Sequence, residues 1–147
     1  MLETRGVVVR KEHQVFLSLG SNLGDRQDNL HKAIDLIGQR VGPVIRQSSF
    51  IETEPWGFES QNKFLNGAIL CETTLTPRQL LRTTQKIERE LGRNKKTSHL
   101  YHDRPIDIDI LLYDDLTIDE PDLKIPHPLM HQRDFVMIPL SEIKEPR

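Results

Sequence analysis

The chain predicts an α+β protein: a ferredoxin-like βαββαβ sandwich, with an antiparallel-rich sheet and helices packed on one of its faces. Three observations carry this. The apolar patterning runs strand, helix, strand, strand, helix, strand with short connections. The two helical segments are bounded by capping and stop residues rather than by long linkers. The whole fits 147 residues, a single-domain length.

Val15-Phe16-Leu17-Ser18-Leu19 reads as a buried first strand. The segment 1–14 before it is either a loose extension or an extra short strand, which leaves 15–147 as one domain. Gly20-Ser21-Asn22-Leu23-Gly24-Asp25 is a turn rich in helix-capping residues, its glycines permitting a tight turn. Leu30, Ile34 and Ile37 mark one face of a first helix ending near Gly38. A second strand runs from Val44 to Glu52, a loop from Thr53 to Asn62, and a third strand from Phe64 to Thr73. Thr76 caps a second helix with Pro77 at its first position, Leu80, Leu81, Thr84, Ile87 and Leu91 on its apolar face, and Gly92 just past its end. A polar loop, Arg93 to Arg104, leads into the last strand. Asp114-Asp115 then turns the chain, and Leu116 to Ile118 is expected to pair back.

Composition narrows the function classes. Apolar residues make up 36% and charged residues 29%, and the formal net charge is −2, so no global field favours nucleic acid. One cysteine, Cys71, rules out an intrachain disulfide framework and fits a reducing compartment. It sits in an apolar strand pattern and reads as core. No apolar run suits a signal peptide or a membrane span. The expectation is a cytoplasmic monomer that binds neither nucleic acid nor membrane.

The most informative stretch is Arg104-Pro105-Ile106-Asp107-Ile108-Asp109-Ile110. With period two, the isoleucines face a core and the two aspartates share the opposite face, their Cα atoms about 7 Å apart. Adjacent like charges are destabilising unless a cation lies between them. Either the pair is a solvated face screened by Arg104 or lysines, or it holds a divalent ion. Two carboxylates without histidine or cysteine suit Mg²⁺ completed by substrate phosphates better than zinc. Arg93, Lys95, Lys96 and Arg104 flank that strand and could stabilise a moving phosphate, although basic loop residues are most often only solvated. His99, Tyr101 and His102 add rings that could stack on an adenine. Phe64 and Asn66 point the same way from one strand, as a stacking ring beside an amide or as core and edge residues. His127 is bracketed by Pro126 and Pro128, which fixes it as a phosphate ligand, a proton donor or a plain turn. The glycine turn at residues 20–24 lacks the Gly-Lys-Ser/Thr ending of a phosphate loop.

Taken in order, these pieces resemble one family. They are Gly20-Ser21-Asn22-Leu23-Gly24, Ser49-Phe50 with Thr53, Pro55 and Gly57, Phe64-Leu65-Asn66, Gln85 through Glu88 to Gly92-Arg93, Arg104 through Ile110, and Pro126-His127 with Arg133 and Phe135. The set is similar to the 6-hydroxymethyl-7,8-dihydropterin pyrophosphokinases of the folate pathway and spans Val15 to about Ile143. The resemblance implies an ATP-dependent transferase that moves pyrophosphate from ATP to the pterin hydroxymethyl oxygen, releasing AMP. It implies two Mg²⁺ ions on Asp107 and Asp109, and catalytic arginines at Arg93 and Arg104. It places a pterin between Phe64 and Phe135, with Thr53, Pro55 and Asn66 beside it, and gives Gln85, Glu88, His127 and Arg133 to ATP, with Lys95, Lys96 and Tyr101 as further nucleotide contacts. Members of the family often carry Trp-Gly-Pro where Tyr101-His102-Asp103 stands here, and arginine where Lys95 stands. An aromatic residue can follow the histidine where Pro128 stands. Trp56 replaces a smaller aliphatic residue and is positioned to cover the pterin. The loop from Arg93 to Arg104 is expected to close over both substrates and exclude water. Two other classes stay open from the residues alone. One is a non-catalytic ferredoxin-like ligand-binding domain with a structural aspartate pair. The other is a metal-dependent phosphohydrolase or nuclease.

Overall fold

A computed structural model gives the fold. It describes residues 12–58, 60–92 and 103–144, together with the backbone of Glu3–Thr4 and Val7–Val8. Those two short stretches, β1 and β2, pair antiparallel with each other. The main sheet follows: β3 (His13–Ser21), helix α1 (Arg26–Arg40), β4 (Val44–Gln47), β5 (Ile51–Thr53), β6 (Phe64–Thr73), helix α2 (Pro77–Glu90) and β7 (Asp107–Tyr113). A hairpin of β8 (Ile118–Glu120) and β9 (Leu123–Ile125), a 3-10 turn at Met130–Gln132 and helix α3 (Asp134–Lys144) complete the chain.

The strand order is β4-β6-β3-β7, with β5 also on β6, and every ladder is antiparallel. β3 and β6, of 9 and 10 residues, are the central strands, and most of their residues are buried on both faces. The expected second strand is real but split. Ser48 leaves the regular ladder, and its hydroxyl accepts from the Ala68 amide, so β4 and β5 are two pieces along one edge of β6. Helix α1 runs two residues past Gly38 to Arg40. Asp25 caps its start, accepting from the Asp28 amide. Helix α2 has the expected Thr76 capping box with Gln79, and Gly92 follows its end with φ +101°.

One face of the sheet buries Val15, Leu17, Leu19, Ile69, Cys71, Ile108 and Ile110 against Leu30, Ala33 and Ile37 of α1 and Leu80 and Ile87 of α2. Cys71 is wholly buried there, and burial pushes its thiol up to about 12, so it is core as expected and inert near neutral pH.

Three expectations need correction. The two expected helices, α1 and α2, do share one face, but the other face is not left without a helix. α3 covers the other side, packing Val136, Leu140 and Ile143 near Phe16, Ala68, Leu70 and Leu111. Leu116–Ile118 does not pair back on the aspartate strand. Instead β8 pairs with β9 in a separate two-stranded sheet, held to α2 by ion pairs from Arg78 to Glu120 and Asp122. Gly20 is not a turn residue but the penultimate residue of β3.

A register shift between Phe16 and Leu17 inserts Leu111 as a bulge in β7. The bulge turns Leu111 toward α3 and Tyr113 back toward the main core. It also leaves the Leu111 carbonyl to accept the His127 amide, which fastens the Pro126–Pro128 segment beside β7.

Candidate active site

Two cross-strand rows define the floor of the site. Asp107 lies opposite Gly20, Gly20 opposite Asn66, and Asn66 opposite Ile51. One step along, Asp109 lies opposite Ser18, and Ser18 opposite Ala68. Paired residues of an antiparallel ladder share a face, so both aspartates, Asn66 and Phe64 project on the side away from α1 and α2. Asp107 and Asp109 are half-buried, while Ile106, Ile108 and Ile110 between and beside them are buried. The period-two reading therefore holds residue by residue. Two strand spacings separate Asp107 from Asn66, about 10 Å, so the carboxylate end and the amide end are distinct parts of one surface.

Gly20 makes that surface possible. A Cβ there would come within 2.7 Å of Asn66 Oδ1 and 3.4 Å of the Phe64 ring. The Asn66 Nδ2 in turn donates to Thr53 Oγ1 at 2.6 Å across the β5–β6 pair. Asn66 is only 3% exposed, and the Thr53 bond holds its side chain in place.

Aromatic and cationic groups gather around this floor. The Arg104 guanidinium stands over the Phe64 ring, 5.3 Å from its centre, and the residue is buried. Phe58 meets Phe64 edge to face at 6.1 Å. Phe64 joins none of the three apolar clusters among the described residues, which separates it from a plain core ring. Arg133, also buried, lies 4.3 Å over Trp56 and 5.5 Å from Phe135, which sits in the first turn of α3. Trp56 and Pro55 lie in the loop after β5, both half-buried. His127 Nδ1 accepts from the Leu129 amide, which places the proton of a neutral ring on Nε2.

Helix α2 supplies the remaining expected groups. Glu88 is buried on its inner face, and its Oε2 accepts the Ile108 amide at 2.7 Å, between the two aspartates in sequence. That amide lies on the edge of β7 away from β3, so the carboxylate caps an edge donor and ties α2 to the aspartate strand. Gln85 stands one turn before it, half-buried on α2.

Arg93, Lys95, Lys96 and Tyr101 lie outside the described residues, as does most of the loop expected to close. The sequence reading missed Asn22. It is buried at the end of β3, with its amide bonded to Arg104, Asp103 and Asn62. Its place within Gly20-Ser21-Asn22-Leu23-Gly24 was the available signal, an asparagine more useful as a clamp than as a turn former.

Comparisons with known proteins identify the family and the fold. The family model described as 7,8-dihydro-6-hydroxymethylpterin-pyrophosphokinase matches residues 16–145. A 2-amino-4-hydroxy-6-hydroxymethyldihydropteridine pyrophosphokinase of Porphyromonas gingivalis is 53% identical over 131 residues, 88% of this chain and 89% of the relative. The protein so named in Bacillus subtilis is 43% identical over 129 residues, 87% of this chain and 76% of the relative. A folate synthesis bifunctional protein of Arabidopsis thaliana is 39% identical, with 24% of its length covered. Among solved structures, Plasmodium falciparum HPPK-DHPS A437G with SDX-DHP superposes with a TM-score of 0.75 at 17% identity, over 92% of this chain and 42% of that one. That likeness shows the fold. The chain belongs to the 7,8-dihydro-6-hydroxymethylpterin-pyrophosphokinase family and is a diphosphate-transferring enzyme of folate synthesis.

Proposed function

We propose that this chain transfers pyrophosphate from ATP to 6-hydroxymethyl-7,8-dihydropterin on the face that carries Asp107, Asp109, Asn66 and Phe64. The observation that carries the reading is the cross-strand row Asp107–Gly20–Asn66, which puts a carboxylate pair and a heterocycle-reading amide on one surface. The pterin hydroxymethyl oxygen attacks the β-phosphorus of ATP. The bond from that phosphorus to the oxygen kept by AMP breaks, and the hydroxyl proton is released. The reaction is governed by positioning and charge, so each residue is assigned by what it holds.

Phe64 and Phe135 stack on the two faces of the pterin, with Asn66 and Thr53 on its polar edge and Pro55 and Trp56 covering it. Asp107 and Asp109 are the residues that would hold the two Mg²⁺ ions. Two half-buried carboxylates on one strand face suit a hard ion that completes its shell with phosphate oxygens and water. When bound, the ions neutralise phosphate charge and align the triphosphate. Arg104 faces the phosphates from the pterin side, and Arg93 does so from the preceding loop. Gln85, Glu88, His127, Arg133, Lys95, Lys96 and Tyr101 contact the nucleotide. The segment 93–104 closes over the pair of substrates and keeps water from the donor. The protein acts as a monomer in the cytoplasm, without nucleic acid or membrane. Its single cysteine suits a reducing compartment.

Product analysis tests the reading. With ATP, Mg²⁺ and the hydroxymethyl pterin, AMP and pterin diphosphate should form in equal amounts, and ATP alone should stay intact. ADP as product, or AMP with free pyrophosphate, would contradict it.

A further inference from the structure

Three segments distant in sequence meet at one buried amide. Asn22 directly follows β3, Asn62 lies near the end of the loop that carries Trp56 and Phe58, and Asp103-Arg104 opens the approach to β7. The Asn22 Nδ2 donates to Asp103 Oδ1 at 2.7 Å and to the Asn62 carbonyl at 3.1 Å. Its Oδ1 accepts the Arg104 amide at 2.7 Å, and its own backbone amide donates to the Arg104 carbonyl at 3.0 Å. The second oxygen of Asp103 accepts Asn62 Nδ2 at 3.0 Å. Each carboxylate oxygen of Asp103 thus takes an N–H from a different segment. Charge-assisted bonds of this kind are the stronger sort.

The consequence is directional. An asparagine amide can be turned either way, and its two ends differ. The Asp103 carboxylate and the Asn62 carbonyl can only accept, so both face the NH₂ end of Asn22, which turns its oxygen onto the Arg104 amide. Of the two, the charged group at 2.7 Å is the stronger partner. The Arg104 backbone is then gripped at both its N–H and its carbonyl. The same carboxylate fastens the end of the aromatic loop.

We propose that Asp103 is a positioning residue for the reaction. It orients Asn22 and docks Asn62, so that the Arg104 guanidinium and the aromatic loop are fixed relative to each other before substrates arrive. This rests on the assignment of Arg104 to the phosphates. Asp103 touches no reacting atom. It acts on the rate through the place of Arg104.

The experiment is a double-mutant cycle in the full-length protein, with steady-state kinetics for ATP and for the pterin. Asp103→Ala should lower kcat between about tenfold and a hundredfold, because small misplacements of a positioning group carry costs of that order. KM for ATP should stay within about twofold, since Gln85, Glu88, His127 and Arg133 keep their places. Asp103→Asn, which can still accept from Asn22, should recover part of the rate. In an Arg104→Ala background, adding Asp103→Ala should lower kcat no further. A merely structural role would give the same fractional loss in both backgrounds, and that result overturns the proposal. Wild-type kcat in Asp103→Ala, with turnover lost in Arg104→Ala, overturns the positioning role alone. Wild-type kcat in Arg104→Ala overturns the assignment of Arg104 and the positioning role with it.

Discussion

Gly20 sits on β3 between Asp107 of β7 and Asn66 of β6, and a methyl group there would press on Asn66 Oδ1 at 2.7 Å. Asn66 can yield only by giving up its bond to Thr53, because its side chain is short and buried. The expected outcome for Gly20→Ala is therefore selective. Stability should fall by about 1 kcal/mol, the worth of one side-chain hydrogen bond. Pterin affinity should drop about tenfold while ATP affinity holds, measured by separate calorimetric titrations. An equal loss for both ligands would mean that the glycine shapes the whole site rather than its pterin end. At this scale the strand residues were the most legible. Period-two alternation alone puts Asp107 with Asp109 and Phe64 with Asn66. The position of Asn22 in its motif was legible but its role was not, because its partners Asn62 and Asp103 lie 40 and 81 residues away, a juxtaposition that no local pattern encodes.

At the scale of elements, α2 links the two halves of the site. Its inner face enters the core through Leu80 and Ile87, and Glu88 on that face caps the Ile108 amide of the aspartate strand. Its start depends on Thr76, whose hydroxyl accepts the Gln79 amide while Gln79 Oε1 accepts the Thr76 amide. Removing that cap with Thr76→Ala should cost about 1 kcal/mol of stability. The substitution is three turns from Glu88, so kcat should not change. Urea unfolding and steady-state kinetics on one preparation check both halves. Loss of turnover without loss of stability would show that the cap, not the core, sets where Glu88 sits.

Capping chemistry is also why α2 was so readable in sequence, from Thr76-Pro77 to Gly92. α3 was not, because Pro139 stands in its middle, and a proline that removes an N–H argues against a helix. Tertiary burial of Val136, Leu140 and Ile143 overrides that local signal. The hairpin of β8 and β9 was misread for a related reason. Leu116 to Ile118 has strand-like composition, but its partner lies just ahead in Leu123–Ile125 rather than behind in the aspartate strand.

For the molecule as a whole, the strand order assigns work to the two faces of one sheet. The face toward α1 and α2 is the apolar store of stability. The opposite face is divided between α3, which buries Phe16, Leu70 and Leu111 at one end, and the polar floor of Asp107, Asp109 and Asn66 at the other. A βαββαβ order was expected from the sequence, and it makes this division possible. The first strand becomes central, with the third and fourth on either side, so residues from the middle and the end of the chain meet across it. The central claim is that the carboxylate pair on that floor serves phosphate chemistry rather than stability. Turnover and thermal unfolding of Asp109→Asn, at the Mg²⁺ level that saturates the wild type, test it most directly. The account predicts a fall in kcat of about a thousandfold, matching the roughly 4 kcal/mol expected from lost charge stabilisation. It also predicts a metal-free melting temperature that holds or rises, because one of two adjacent like charges is gone. Wild-type turnover in a folded Asp109→Asn protein would contradict it.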